Sequence, residues 1–358
     1  MVSLCAMNRF VAAFVLCATT LVSLVLVSGC KPEEDASRTE VRIGCFPNVT
    51  HVQALVARYM ARKGENWVRQ PDGGWVKAAG KGWFEERMPG HSFVWSTYNA
   101  GPSAMEAIFG RSIDVTYVGP SPALNAYGVS QGTEVRVMSG AVNGGAALLV
   151  HKGSPMKEGK DFYGKRVATP QLGNTQDVSA RAWLRKQGLH LTRNGAGDCR
   201  VLPTPNAMQL PLFKQGELDA VWTVEPWVSR LESEAGAVPL VEDSEVATTV
   251  LVGRDAWLKA HPELAAKLID AHRELTEWVA AHPEEAQRMV ADEMKLLTRG
   301  KGDEMEKIVR SSWKRLKLTT EIDVPGLRKF VKDAQEAGLL RARFPDVAGI
   351  VYRPDSPR

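Results

Sequence analysis

Three features of the sequence predict an α/β fold with largely parallel sheets. Short apolar strands alternate with helical segments along most of the chain, the pattern that layers helices on parallel sheets. At 358 residues the chain is long enough for two domains, each with its own core, at roughly 150 residues per domain. Strand after strand ends in a turn of Gly, Pro, Ser, Thr and Asn that runs straight into a helix, and ligands of such sheets sit beyond those strand ends.

The N-terminus stands outside that pattern. Arg9 precedes an apolar run from Phe10 to Val27 that closes on Ser28-Gly29-Cys30. This is the layout of a signal peptide with a small-residue cleavage site and a Cys directly after it, as in a bacterial lipobox; Met1 or Met7 can start it. The competing reading is an uncleaved anchor, because 18 residues at about 1.5 Å each nearly span a bilayer. Cleavage and lipidation of Cys30 are preferred because the apolar run stops at the Cys. Residues 1–29 are then the signal, 30–40 a polar tether, and the rest lies outside the cytoplasm, periplasmic or at the cell surface. Cleavage leaves 329 residues and removes one Arg, so the net charge falls from +4 to +3, too balanced for a nucleic-acid binder.

The elements follow in order. "EVRIGCF" reads as a strand and Thr50 to Ala61 as a helix; "SFVWSTY" as a strand and Ser103 to Gly110 as a helix; "DVTYVG" as a strand and Pro122 to Ser130 as a helix. "EVRVMSG" and "AALLVHK" are strands, and Gly164 to Thr169 is a strand leading to a helix from Val178 to Gln187 that stops at Gly188. Then come "CRVLPT", a helix around Leu210 to Gln215, and the strand "LDAVWTV". The last hundred residues read as helical, with Pro262 to Ala281 and Pro283 to Leu297 the clearest cases. One insertion breaks the rhythm: Trp67-Val68 and Trp75-Val76 flank Pro71-Asp72-Gly73-Gly74, a turn signal that predicts a β-hairpin over 65–83. Its tryptophans, with Trp83, are expected to pack on the body; an aromatic ligand platform is the alternative. Cys45 and Cys199 lie in strand-like runs and read as buried free thiols, too few for a disulfide framework or a zinc site.

The strand-end turns carry the binding chemistry. In "ATPQLGNTQD", Gly173 turns the chain and Asn174-Thr175-Gln176-Asp177 opens a helix whose free N–H groups and dipole favour an anion. "GCFPNVTH" leads into a helix with Thr50 and His51 in its first turn. In "YVGPSPAL", Ser121 is placed to cap a helix with Pro122 at its first position, after Gly119-Pro120. "NAGPSAM" repeats the design at Ser103, and Gly144-Gly145 after Asn143 permits close backbone approach. Any one such turn is more often a plain cap; several together predict a polar cleft lined by N–H and O–H donors. The turns hold no Lys or Arg, and His51 is their sole potential cation. A dianion usually recruits a basic side chain, so neutral donors suit a diffuse monoanion such as a sulfonate, or nitrate.

The segments "FPNVTHVQALVA", "NAGPSAMEAIF", "DVTYVGPSPALNAY", "GGAALLV", "ATPQLGNTQD" and "DAVWTVEPWVSRL", in this order, resemble the substrate-binding proteins of ABC importers in the nitrate/sulfonate/bicarbonate class, the aliphatic-sulfonate-binding branch above all. The resemblance runs from about Val41 to beyond Leu340. It implies a type II periplasmic binding fold: two α/β lobes, two crossovers and a ligand cleft between them. On this chain it implies lobe one at 41–140 and 245–345, lobe two at 141–244, and a C-terminal tail at 346–358. Asn48 and His51 would line the first-lobe wall, although His51 reads equally as a capped surface histidine. Gly119 and Ser121 would present backbone N–H and hydroxyl to the anion, with Gly145 nearby. Asn174, Thr175 and Gln176 would close from lobe two, and Trp222 would pack on the ligand's organic part. Glu225 would either accept from a ligand amine or fix the loop before Pro226. The implied partners are a small organic anion, an ABC permease with its ATPase, and a membrane reached through lipid; a monomer without cofactor or metal is expected.

The same fold also hosts the pyrimidine synthase of thiamine biosynthesis. An enzyme would need a reactive Cys/His cluster or a consumable Lys; His51 has no evident partner, and no Ser-His-Asp or metal spacing appears. A binding protein for nitrate or a thiamine-pyrimidine-type ligand is the remaining alternative.

Overall fold

The computed structural model describes residues 37, 39–242, 244–299 and 302–354; the signal segment and Cys30 lie outside the described residues. Contacts divide the chain at Ser37, and the elements below all belong to Arg38–Arg358. β1 (Glu40–Cys45) passes through a 3-10 turn at Val49–His51 into α1 (Val52–Lys63). A hairpin of β2 (Glu65–Arg69) and β3 (Trp75–Ala79), a short α2 (Trp83–Arg87) and β4 (Ser92–Thr97) follow. Then come α3 (Gly101–Phe109), β5 (Val115–Val118), α4 (Pro120–Val129) and the long β6 (Val135–Gly144). The second lobe comprises β7 (Ala146–Val150), β8 (Arg166–Thr169), α5 (Thr175–Lys186), β9 (Arg200–Pro203), α6 (Asn206–Lys214), β10 (Ala220–Val224), α7 (Trp227–Ala235) and β11 (Val238–Glu242). The chain returns through β12 (Ala247–Arg254) to α8 (Asp255–Ala260), α9 (Pro262–Ala281), α10 (Pro283–Thr298), α11 (Gly302–Trp313), β13 (Leu316–Leu318) and α12 (Val324–Glu336).

Two large sheets result, beside the two-stranded β2–β3 hairpin. The first has six strands in the order β13-β6-β12-β5-β1-β4, the second five in the order β11-β7-β10-β8-β9. β1 is parallel to β4 and β5, and β8 is parallel to β9 and β10. The strands that carry the chain between sheets are antiparallel to their neighbours: β12 against β5 and β6, and β7 against β10 and β11. The sheets are therefore mixed rather than largely parallel, because a chain that crosses and returns must run against the strands it joins. β6 stays in the first sheet through Gly144, so residues 141–144 pair there and not in the second lobe. The crossing itself is made by Gly144 and Gly145 at φ 72° and 74°, left-handed conformations that glycine adopts without strain.

The first lobe is cored by α1, α9 and α10 packed on one face of its sheet, with Leu55, Tyr117, Trp257, Leu275 and Trp278 buried together. The hairpin lies on this layer. Trp67 stands 5.2 Å from the Trp278 ring and Trp75 stands 5.6 Å from Trp83, whose Nε1–H donates to Ala271 O at 2.8 Å. Residues 347–350 form a 3-10 turn with Val347 and Ile350 buried, and Val351 bridges Val137 of β6. That segment is thus packed structure rather than a tail. No described helix is long and apolar enough to cross a membrane.

Candidate functional site

Where the two lobes meet, the strand-end turns converge on a cavity of about 30 Å³, room for about one water. From the first lobe it is lined by Asn48, Thr50 and His51 after β1, Asn99 to Gly101 after β4, and Gly119 and Pro122 after β5. From the second come Asn174, Thr175 and Gln176 after β8, Asn206 after β9 and Val224 at the end of β10, with Thr248 on the returning strand. Among the described residues, no Lys, Arg, Asp or Glu lines it. The lobes touch here: a Cβ built on Gly119 would lie closer than 3.0 Å to Thr175 Oγ1.

The α5 turn is built to leave donors free. Asn174 is its N-cap and accepts the Asp177 N–H at 2.8 Å through Oδ1. The buried Asp177 carboxylate accepts from Thr169 Oγ1 at 2.9 Å, Gly173 N–H at 2.9 Å and Arg181 Nε at 3.0 Å. Arg181 is therefore neutralised inside the second lobe instead of reaching the cavity. Thr175 and Gln176 occupy the first two helical positions, whose N–H groups have no intrahelical acceptor. Thr175 Oγ1 is buried with no hydrogen-bond partner in the protein, and Ser121 Oγ is in the same state. Two orphaned hydroxyls at facing lobes cost stability unless something else uses them.

α4 begins two residues earlier than its sequence predicts. Gly119 is the N-cap and Pro120 the first helical residue, so Ser121 sits at the second position rather than capping. With Pro on either side, Ser121 supplies the one N–H of that first turn. Ser103 is likewise inside α3, whose N-cap is Ala100. Ser121 faces a second, adjoining cavity of about 260 Å³ rather than the small one; Pro122 walls both.

His51 is buried, not a surface histidine. Its Nδ1 accepts the Phe46 N–H at 3.3 Å, which leaves the ring proton on Nε2. Burial lowers its pKa to about 3, so at neutral pH it is an uncharged donor and not the cation of the site. Glu225 is fully buried and fully engaged: it accepts from Ser229 N–H at 3.0 Å, Ser229 Oγ at 2.9 Å, Ser312 Oγ at 2.8 Å and Arg315 at 3.1 Å. Of the two roles open to Glu225, this is the anchor of a loop, tied to the opposite lobe. Burial raises its pKa while these bonds and Arg315 lower it. Trp222 points elsewhere too, lining an 800 Å³ groove beside Trp183. Gly145 does not line the small cavity; its carbonyl accepts the Glu225 N–H at 2.7 Å at the crossover.

Of the predicted set, Asn48, His51, Gly119, Asn174, Thr175 and Gln176 thus line one cavity. Thr50, Asn99, Asn206 and Thr248 line it as well and lie outside that set. Asn206 had a signal: Thr204-Pro205-Asn206 repeats the strand-end design, and its Oδ1 accepts from Thr223 at 3.1 Å, leaving amide N–H groups. Cys45 and Cys199 are both free and buried, their thiol pKa values pushed up to about 12 and about 11 chiefly by burial. No metal-binding cluster of His, Cys, Asp or Glu occurs among the described residues.

The geometry can be set beside known proteins. A protein from Escherichia coli strain K12 named as an aliphatic sulfonates-binding protein is 27% identical over 177 residues, 49% of this chain and 53% of that one. The chain thus spans about half the length of the curated relative it matches. The alkanesulfonate-binding protein SsuA from Xanthomonas axonopodis pv. citri, solved bound to MOPS, superposes with a TM-score of 0.67 at 19% identity, over 88% of this chain and 99% of that one. The periplasmic nitrate-binding protein NrtA from Synechocystis PCC 6803 superposes with a TM-score of 0.67 at 15% identity, over 89% and 87%. At these identities the likeness shows the fold alone, which is that of the periplasmic binding proteins. The profile of the NMT1-like family matches residues 34–294, and the chain belongs to that family.

Proposed function

We propose that the chain is an extracytoplasmic solute-binding protein that captures a small organic monoanion, an aliphatic sulfonate first among candidates, and delivers it to an ABC permease and its ATPase. The observation that carries this reading is the buried, unpartnered Thr175 hydroxyl at the N-terminus of α5, beside a cavity walled by both lobes with no Lys, Arg, Asp or Glu among its described lining residues. A sulfonate spreads one negative charge over three oxygens and needs several donors rather than one cation. The N–H groups of α5, the amides of Asn174 and Asn206, and the Nε2–H of His51 supply them from both lobes. A phospho group carries roughly −1.5 to −2 at pH 7 and would lack the cation it usually recruits. Because one chain provides both walls, a monomer suffices. Lipid on Cys30 would hold the protein at the membrane near its permease.

The small cavity favours nitrate as a second reading, since about 30 Å³ suits a compact anion. Calorimetry with ethanesulfonate, ethylphosphonate and nitrate separates the cases. Ethanesulfonate should bind at least tenfold more tightly than ethylphosphonate. Thr175→Ala should weaken it by about ten- to a hundredfold, as loss of a hydrogen bond to a charged group worth roughly 1.5–3 kcal/mol. Tighter binding of the phosphonate or of an uncharged pyrimidine, or chemical conversion of the ligand, would overturn the proposal.

A further inference from the structure

The two crossovers lie side by side, and β13 is laid across both. The Gly144 N–H of the outgoing crossover donates to Val246 O of the returning one at 2.9 Å. Leu316 of β13 pairs with Gly144, and a Cβ on Gly144 would strike the Arg315 carbonyl. Arg315 and Lys317 are two residues apart, hence on one face of the strand. Arg315 Nε donates to Glu242 Oε1 at 2.8 Å, at the end of β11, and Lys317 Nζ donates to Glu245 Oε2 at 2.7 Å, three residues on. Two first-lobe cations thus bracket the segment by which the chain returns from the second lobe. Further in, Ser312 Oγ and Arg315 Nη1 donate to Glu225 at 2.8 and 3.1 Å, and Arg315 Nη2 donates to Glu232 at 2.6 Å. Exposure grades the set: the Glu225 and Glu232 side chains are 0% and 25% exposed, those of Glu242 and Glu245 45% and 69%.

We propose that the outer pairs, Arg315–Glu242 and Lys317–Glu245, are an ionic brake on lobe opening, and that the inner bonds of Arg315 to Glu225 and Glu232 are the pivot about which the lobes turn. The inference rests on the opening and closing that the proposed function requires, and not on which anion is bound. The cations are fixed to the first lobe, because β13 is paired to β6. The carboxylates at 242 and 245 ride on the segment that swings when the second lobe turns, so opening pulls on both outer pairs at once. Exposed pairs are individually weak and are screened by salt, whereas a buried pair is screened far less. Salt therefore releases the brake and leaves the pivot made. The protein then opens more readily as ionic strength rises, and its affinity falls because the closed form is less populated.

X-ray scattering of the ligand-free protein tests this without a ligand that salt could displace. Between about 20 mM and about 500 mM NaCl, where the screening length falls from roughly 20 to roughly 4 Å, the parent should expand. Lys317→Glu and Glu245→Lys reverse the more exposed pair; each should be expanded already at low salt, and the two together should return to the parent's radius. Calorimetry at low salt should show ethanesulfonate binding weakened by about three- to tenfold in each single variant and recovered in the double one. Pairs with a merely structural role would lower the melting temperature and leave radius and affinity unchanged, and that result overturns the brake. So does a parent whose radius is the same at both salt concentrations, or a double variant that stays expanded. If the scattering changes appear but ethanesulfonate does not bind, the sulfonate reading falls and the brake stands.

Discussion

Replacing Gly119 by Ala should hold the lobes apart while leaving each lobe intact. Gly119 has φ −66° and ψ 151°, a conformation open to any residue, so its backbone does not require glycine. What faces it does. A Cβ there would lie closer than 3.0 Å to Thr175 Oγ1 and 3.2 Å from Thr175 Cβ, both on the opposite lobe. Relieving that overlap parts the facing surfaces by roughly 1 Å, which moves a donor at about 2.9 Å out of hydrogen-bonding range. If two bonds from the α5 turn to the anion are lost, at roughly 1.5–3 kcal/mol each, affinity falls by about 150-fold or more.

Three measurements define the outcome. Calorimetry with the best sulfonate should show that loss, and X-ray scattering should show ligand-induced compaction in the parent and not in the variant. The melting temperature should hold or rise slightly, because Gly→Ala at a compatible backbone restricts the unfolded chain. Combining Gly119→Ala with Thr175→Ala should cost less than the sum of the single changes, since the second removes the atom that the new methyl strikes. A Gly119→Ala protein that binds within threefold of the parent and compacts as it does would refute the placement of the site.

Other expectations concern stability and location. His51 and His272 are buried neutral, with pKa values lowered to about 3 and about 4, so their contribution is complete above pH 6.5 and is lost as pH falls toward those values. Urea titrations should lose about 2 kcal/mol per histidine between pH 7.5 and 5, and His272→Asn should flatten the curve. Glu225, raised by burial, acts in the opposite sense: any contribution it makes is present in acid and fades as pH rises through its folded pKa. Arg315→Ala should destabilise the fold by about 3 kcal/mol, because the buried Glu225 loses its cation, and adding Glu225→Gln should restore part of it. Cys30→Ser should shift the protein from the membrane to the soluble fraction; retention through residues 10–27 would favour an uncleaved anchor instead.

The strand-end turns were legible because Gly, Pro and Asn there have few uses besides turning and capping. Asn174 to Gln176 could be placed in the cavity because an Asn before a helical run is a cap, and the residue after a cap has a free N–H. The register of α4 was not legible. Two prolines flank Ser121, either can be the first helical residue, and local sequence does not choose between them. β12 is not legible locally because Thr248 and Thr249 interrupt its apolar run, and its strand character comes from pairing with β5 and β6, which precede it by more than a hundred residues.

Trp222 and Glu225 show where periodicity runs out. Alternation along β10 puts Trp222 and Val224 on the same face, yet only Val224 reaches the small cavity. α5 covers that face, and Trp183 meets Trp222 before the strand reaches the cleft; the layer above, not the strand, decides what each side chain sees. Half of Glu225's environment was within local reach, since Ser229 lies four residues on in α7. The other half, Ser312 and Arg315, arrives from 87 and 90 residues away. Arg315 also pairs with Glu232 and Glu242 of the second lobe, so one first-lobe cation is matched to three second-lobe carboxylates beside the crossovers. This charge cluster stands beside the crossovers, while the described lining of the small cavity, with its hydroxyls, amides and His51, holds no Lys, Arg, Asp or Glu. On the proposed function, an anion entering there would meet neither a resident carboxylate nor a fixed cation.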